Sequence, residues 1–118
     1  MKNVLKDKSF QFALKVVEVY KQIIAEHKEY VLSKQFLKAG TATGALIREA
    51  EFAQSKPDFI SKLSIALKEA NETHYWIDLL EAGNYIKPET KTILEKEINE
   101  ILPLLISSIK TAKNNLKT

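Results

Sequence analysis

The sequence predicts an all-α protein, an antiparallel up-down-up-down four-helix bundle with left-handed packing. Apolar residues recur at three- and four-residue steps through most of the 118 residues, which is the spacing of one helical face. Only three Gly and three Pro are present, so few positions interrupt a helix. The polar breaks between the helical runs are short, and short connections make consecutive helices antiparallel neighbours.

Composition indicates one globular domain over residues 1–118, because 45% of the residues are apolar and 28% are charged. We expect helices at about 9–26, 31–53, 56–82 and 88–116. The absence of Cys excludes disulfides and thiolate metal sites. No apolar run is long enough for a signal peptide or a membrane span, so we expect a cytoplasmic protein without a membrane partner.

The first helix carries two apolar seams, and either Asp7 or Ser9 is available as its N-cap. One seam, assigned to the core, contains Phe10, Ala13, Val17, Tyr20 and Ile24. The second contains Phe12, Val16, Val19 and Ile23. A bundle helix needs a single apolar stripe, so the second seam is interpreted as an oligomer interface. The alternative is a central helix covered on two sides within one chain.

The second helix contains a tract of small residues, Ala39–Ala45. Each Gly there costs roughly 1 kcal/mol relative to Ala, but Gly40 and Gly44 lie four residues apart on one helical face. This pattern predicts tight packing against another helix. The face expected to be buried comprises Leu32, Phe36, Ala39, Thr43, Leu46, Ile47 and Ala50, with Ala45 and Phe52 roughly opposite.

The third helix has the clearest start, with Ser55 as N-cap, Pro57 in the first turn and Asp58 three residues after the cap. Gly83 is the expected left-handed residue at its end. Its core seam is Phe59, Leu63, Ala66, Ala70, Ile77 and Leu80. A second strip of Ile65, Trp76 and Leu79 is interpreted as an oligomer interface, because Trp is enriched at interfaces. Alternatively, Trp76 is the edge of the chain's own core.

The fourth helix begins near Lys87-Pro88 and keeps its apolar spacing to the end of the chain. Its expected core residues are Leu94, Ile98, Ile101, Leu105, Ala112 and Leu116. Pro103 lies inside this helix and is expected to bend it. The apolar neighbours of Pro103 predict that the bend is packed rather than exposed.

The residue chemistry predicts no catalytic, cofactor-binding or metal site, and therefore no enzyme and no small-molecule substrate. Neither His27 nor His74 has Glu three residues before it, as bundle di-iron sites require. Glu49, Glu69 and Glu72 could cluster between helices two and three as acid–base groups. The alternative is that they pair with a Lys, with an Arg such as Arg48, or with the backbone. No nucleotide-binding loop, nucleophile elbow or zincin motif is present.

Residues Tyr30–Ala50, Gln54–Ala70 and Glu72–Leu80, with Lys8-Ser-Phe10, resemble a bacterial four-helix-bundle family. That family is known from open reading frames inside intervening sequences of 23S rRNA genes. The resemblance implies an antiparallel bundle that assembles as a ring-shaped homopentamer. Many members of the family carry Asn and Ala in place of Leu46 and Arg48, and Glu in place of His74.

The family is related to the accessory variability determinant protein of diversity-generating retroelements, a basic pentameric barrel that engages nucleic acid and a reverse transcriptase. By this analogy the expected partners are other copies of the chain and RNA, DNA or a nucleic-acid-handling protein. The candidate nucleic-acid contacts are Lys34, Lys38, Arg48, Lys62, Lys110 and Lys113. The alternative is a structural protein–protein interaction module that binds no nucleic acid. A net charge of +3 per chain decides between them only if the charge is concentrated.

Overall fold

Four long helices in the order α1 Val4–His27, α2 Leu32–Glu51, α3 Lys56–Ala82 and α4 Pro88–Leu116 make up the computed structural model, which describes residues 3–116. Each helix packs on the next, and α4 returns against α1, so α1 lies diagonally opposite α3 and α2 opposite α4. The molecule measures 52 × 23 × 22 Å. The predicted all-α bundle is confirmed, and the described residues contain no strand.

The first helix begins five residues before the predicted start. The side chain of Asn3 accepts a hydrogen bond from the backbone N–H of Lys6, at 3.0 Å, and is the N-cap. The predicted caps Asp7 and Ser9 are therefore wrong. Ser9 is buried, and its hydroxyl donates to the carbonyl of Lys6. Asn, Asp and Ser are similarly good caps, so the residue type alone does not choose between them.

The start of α2 is capped by a side chain in the preceding connection. The Glu29 carboxylate accepts from the backbone N–H groups of Val31, Leu32 and Ser33, at 3.2, 2.9 and 2.8 Å. Burial raises the pKa of the Glu29 carboxyl, but these hydrogen bonds together lower it below its ordinary value of 4.5. The carboxylate satisfies N–H groups that a helix start leaves without partners and adds negative charge where the helix dipole favours it.

Glu29→Gln is expected to destabilise the protein by about 1 kcal/mol at neutral pH, the typical value of a helix cap. Because the folded-state pKa is lowered, the stabilisation is present above the ordinary pKa of 4.5 and is lost as pH falls through and below it. Urea unfolding at pH 7 and pH 3.5 would measure both effects. The variant should lose less stability on acidification than the wild type. Glu18→Gln, which changes an exposed carboxylate on α1, is the control; equal pH dependence of wild type and Glu29→Gln would contradict the assignment.

The ends of α3 show one expected cap and one correction. The Ser55 hydroxyl accepts from the N–H of Asp58 at 3.1 Å, and Asp58 accepts from the N–H of Gln54 at 3.2 Å. Gly83, however, is not the left-handed residue, since its φ is −83°. Asn84 takes that conformation instead, with φ 66°. Asn tolerates the left-handed region because its short side chain can bond locally, so glycine is not required there.

The second seam of α1 lies inside the chain's own core, which corrects its assignment to an oligomer interface. Phe12, Val16, Val19 and Ile23 are each exposed by 4% or less. A helix packed against two neighbours buries a wide face, and α1 contacts both α2 and α4. The seam assigned to the core is instead the more accessible one, with Phe10 47% exposed and the others half-buried.

The small-residue tract of α2 faces α1. A Cβ atom added at Gly40 would lie 2.7 Å from Cγ2 and 2.8 Å from Cγ1 of Val16. One added at Gly44 would lie 3.3 Å from the backbone carbonyl oxygen of Ser9. The separations at Gly40 are shorter than carbon–carbon contacts at optimal packing, about 3.5–4.0 Å. Glycine at position 40 is therefore required for the present distance between the two helices, whereas a methyl group at position 44 would be tight against the Ser9 carbonyl.

Pro103 lies on an exposed part of α4, contrary to the packed bend that the sequence predicts. The helix continues through it from Pro88 to Leu116. Proline removes a hydrogen bond to the carbonyl of Asn99, one turn earlier. Because Asn99 is itself exposed, water can satisfy that carbonyl. Pro103 and Ile106 line a shallow surface groove instead of a core contact.

Candidate functional site

One face of α2 points away from the bundle and carries three exposed cations. We call it the α2 stripe; its residues follow at steps of four, three, four, three and four: Lys34, Lys38, Thr41, Ala45, Arg48 and Phe52. Such steps keep side chains on one side of a helix. All are exposed except Thr41, which is half-buried and whose hydroxyl donates to the Leu37 carbonyl at 2.7 Å.

The three cations of the α2 stripe have no carboxylate partner. Among residues 3–116, neither Lys34, Lys38 nor Arg48 lies within ion-pair distance of an acidic side chain. At 1.5 Å per residue, Lys34 and Arg48 are about 21 Å apart along the helix. The stripe therefore presents cations over roughly the length of six steps of a nucleic-acid strand, at about 3.4 Å each.

Several cations elsewhere are neutralised by ion pairs between helices. Lys6 binds Glu51 at 2.9 Å, and Lys8 binds Glu100 at 2.7 Å. The candidate Lys62 lies beside the stripe but binds Glu49 at 3.5 Å. These partners reduce the attraction of each cation for an external anion, whereas the stripe keeps its full charge.

The remaining two candidate cations lie on another surface. Lys110 and Lys113 are exposed in the last turns of α4, which is diagonally opposite α2. The six residues predicted to contact nucleic acid are thus divided: three on the α2 stripe, Lys62 next to it, and two across the bundle. The sequence does not reveal this division, because only the packing of the helices decides which helical faces share a surface.

The C-terminal end of the α2 stripe opens into a groove of about 700 Å³, which we call the α2 groove. The guanidinium of Arg48 lies over the ring of Phe10, 5.6 Å from its centroid. Phe52, at the end of α2, is 78% exposed. The groove is lined by Lys6, Phe10, Ala13, Thr41, Gly44, Ala45, Arg48, Glu49, Phe52, Gln54, Asp58 and Lys62.

The suggested acidic cluster between α2 and α3 is not formed. Glu49 binds Lys62, and Glu72 accepts a hydrogen bond from the Trp76 indole N–H at 3.2 Å. Within residues 3–116, Glu49, Glu69 and Glu72 do not come together as a group of metal-ligand type. Arg48, offered as their partner, stacks on Phe10 instead.

A different polar cluster joins α3 to α4. Ligand atoms of His74, Asp78 and Glu95 lie within 4.8 Å of one another. His74 Nε2 is 3.1 Å from Asn99 Oδ1, and His74 Nδ1 is 3.8 Å from Glu95 Oε2. The sequence signal for this cluster is the four-residue spacing of His74 and Asp78, which places both on one face of α3. The di-iron pattern, Glu three residues before His, does not cover this spacing.

Lys91 supplies the cation for this cluster. Its ammonium is 3.3 Å from Asp78 and 3.7 Å from Glu81. The hydrogen bond from Lys91 to Asp78 raises the pKa of the Lys91 ammonium above its ordinary value of 10.5. Lys91 thus offsets part of the acidic charge, and the arrangement is that of an ion-pair network between α3 and α4.

The strip of α3 assigned to an oligomer interface is partly accessible. Ile65 is 43% exposed, whereas Trp76 and Leu79 are half-buried. Trp76 packs against the core and meets the ring of Tyr75 edge-on, with centroids 5.0 Å apart. Its role as the edge of the chain's own core is thus observed, and its remaining surface is available for another contact.

The fold and these sites define a class: a helical bundle whose polar clusters are internally paired and whose α2 face is cationic. None of the helices, over the part of the chain described, is both long and apolar enough to cross a membrane. The chain belongs to the 23S rRNA-intervening sequence protein family, whose model matches residues 1–107.

A solved structure shows the same fold. It is the crystal structure, at 1.70 Å resolution, of a protein of unknown function from the S23 ribosomal protein family of Bacteroides thetaiotaomicron VPI-5482. The two chains are 55% identical, and the match covers 91% of this chain and 99% of the other with a TM-score of 0.88. No curated protein is significantly similar to this chain. Neither the family nor the structural relative indicates an enzymatic activity.

Proposed function

We propose that this protein is a non-enzymatic, ring-forming bundle that binds RNA in the cytoplasm along the α2 stripe of each copy. The observation that carries the proposal is the set of three exposed cations, Lys34, Lys38 and Arg48, without carboxylate partners in residues 3–116. Unpaired Lys and Arg side chains bind phosphates and release the counterions condensed on nucleic acid. The family description refers to 23S rRNA, which is compatible with an RNA ligand.

A ring of five copies is consistent with the accessible apolar surface. On the α1 side of α2, Leu14 is 46% exposed next to the half-buried Val17. On the α3 side, Ile65 is 43% exposed. Two different surfaces that contact each other form a head-to-tail interface, and such interfaces generate closed rings. Because α2 lies between the two contact surfaces, all copies would present their α2 stripes on the same side of the ring.

RNA binding is expected to depend strongly on salt. For a single-stranded RNA, three phosphate contacts predict that log affinity falls by about 2 per tenfold increase in salt, or about 20-fold between 50 and 200 mM KCl. The variant Lys34→Gln/Lys38→Gln/Arg48→Gln should lose that salt dependence along with most of its affinity. Fluorescence anisotropy with a labelled 20-nucleotide oligouridine would measure both.

The control is Lys96→Gln/Lys110→Gln/Lys113→Gln, which removes three lysines from α4. It should bind within about twofold of the wild type, since a distant surface charge contributes little at moderate salt. Equal weakening by both triple variants would refute the stripe as the binding surface. Absence of RNA binding by the wild type at 50 mM KCl would refute the function and favour a protein–protein interaction module.

A further inference from the structure

We propose that the α2 groove holds one unpaired RNA base against Phe52 while Arg48 binds the adjoining phosphate, so that the protein selects single-stranded over duplex RNA. The inference rests on the proposed function and adds the kind of RNA. Its first support is Phe52, a large ring left 78% exposed beside unpaired cations. An exposed aromatic ring is the platform on which unpaired bases stack, at about 1–3 kcal/mol per base.

The position of Phe52 is defined although its ring is exposed. Its backbone N–H donates to the carbonyl of Glu49 at 3.0 Å and closes the last turn of α2. The next residue, Ala53, donates to the carbonyl of Ala50 at 3.1 Å. The backbone therefore fixes the start of the Phe52 side chain at the mouth of the groove, and a stacked base would have to order only its two side-chain torsions.

Arg48 is held without an acidic partner. Its guanidinium lies 5.6 Å from the centroid of the Phe10 ring, a cation–π distance. Stacking of this kind orients the guanidinium plane and leaves its N–H groups free for a phosphate. An ion pair with a carboxylate would instead have occupied those donors.

The groove lining carries three cations, Lys6, Arg48 and Lys62, against two carboxylates, Glu49 and Asp58, so its net charge is positive. Glu49 binds Lys62 at 3.5 Å. Asp58 accepts the N–H of Gln54 at 3.2 Å. The groove volume of about 700 Å³ is ample for a base and its sugar. Its small residues Ala13, Gly44 and Ala45 leave room for a flat ligand.

Charge complementarity and continuity with the α2 stripe favour RNA over a second copy of the chain. Phosphates that follow the stripe from Lys34 would reach Arg48 at the entrance of the groove, about 21 Å along the helix. A duplex gains nothing from Phe52, because its bases are stacked internally and its deep major groove excludes side chains. A second copy offers net positive charge to a positive surface.

The test compares a labelled 12-nucleotide oligoadenosine with a 12-base-pair RNA duplex, using the full chain at 50 mM KCl. Phe52→Ala should weaken single-strand binding by about 5- to 150-fold and change duplex binding by less than twofold. Phe52→Tyr should restore single-strand binding. Tyr75→Ala, which removes another exposed ring on α3, is the matched control and should bind like the wild type.

The outcomes separate this inference from the proposed function. Unchanged single-strand binding by Phe52→Ala, or an equal loss on duplex RNA, overturns the stacking inference, while the charge variants on α2 still test RNA binding. A lower oligomer mass for Phe52→Ala would show that the Phe52 side chain contacts another copy of the chain, and this result also overturns the stacking inference. If the wild type binds neither RNA, both the proposed function and the inference fail.

Discussion

Gly40→Leu is expected to lower the free energy of unfolding by about 3 kcal/mol or more, because overpacking a well-packed contact costs about 1–3 kcal/mol and occasionally more. A Cβ alone would lie 2.7 Å from Val16, and leucine adds three further carbons. Val16 is fully buried, and a β-branched side chain in a helix has one preferred rotamer, so it cannot move aside. Urea unfolding would measure the loss against a typical total of about 5–15 kcal/mol.

Helix propensity alone predicts that Gly40→Leu raises the free energy of unfolding, which is the opposite effect. Removing a glycine from a helix should stabilise it by roughly 1 kcal/mol if the helix were isolated. Ala45→Leu adds a similar side chain on the outward face of the same helix and is the control, expected to change stability by less than about 0.5 kcal/mol. A Gly40→Leu protein as stable as the wild type would show that α1 and α2 are not in close contact.

A double-mutant cycle identifies Val16 as the obstacle. Gly40→Ala should destabilise the wild type, where its methyl group meets both γ carbons of Val16. In a Val16→Ala background both γ carbons are gone and only the Cβ atom remains, 3.2 Å from the added methyl group, so the propensity gain should make the same change stabilising. The same sign in both backgrounds would mean that something other than Val16 resists the added methyl group.

A charge introduced into either proposed contact surface, the one at Leu14 and Val17 on α1 or the strip at Ile65 on α3, is expected to dissociate the proposed ring. The wild type should have a mass near five times 13.4 kDa. Leu14→Glu should produce monomers at micromolar concentration, because a buried charge without a partner costs several kcal/mol in an interface. Ile65→Glu should do the same from the other side. Light scattering coupled to gel filtration would measure both masses.

Mixing the two variants tests whether the contact is head-to-tail. Each retains the strip that the other has lost, so an equimolar mixture should form one-to-one dimers and no rings. Ile106→Glu, at a 51% exposed position on α4, is the control and should leave the ring intact. A stable wild-type monomer at micromolar concentration would refute the ring. Unchanged masses for Leu14→Glu and Ile65→Glu would refute these surfaces.

The candidate site was only partly predictable. Positive charge predicts Lys34, Lys38 and Arg48 as candidate contacts, whereas the family resemblance does not support Arg48, because many members carry Ala there. The sequence does not predict that these three cations lack carboxylate partners. Lys6 and Lys62 are also helical lysines, but each has a glutamate of the neighbouring helix α2 opposite it, Glu51 and Glu49 respectively. Ion pairing depends on which residues of neighbouring helices face one another, and a single helical pattern carries no such information.

The sequence by itself determined the number of helices, their order and the buried faces of α2 and α3, because periodicity and capping are local properties. Only the tertiary structure decided which seam of α1 is buried, since both seams have the same spacing and the positions of α2 and α4 choose between them. Likewise, the sequence marked Gly40 and Gly44 as a close contact, but only packing identified α1 as the helix they meet. The small volume of glycine can be seen in the sequence of α2 itself. The atoms that fill the space beside it belong to another helix, so only the packed structure identifies them.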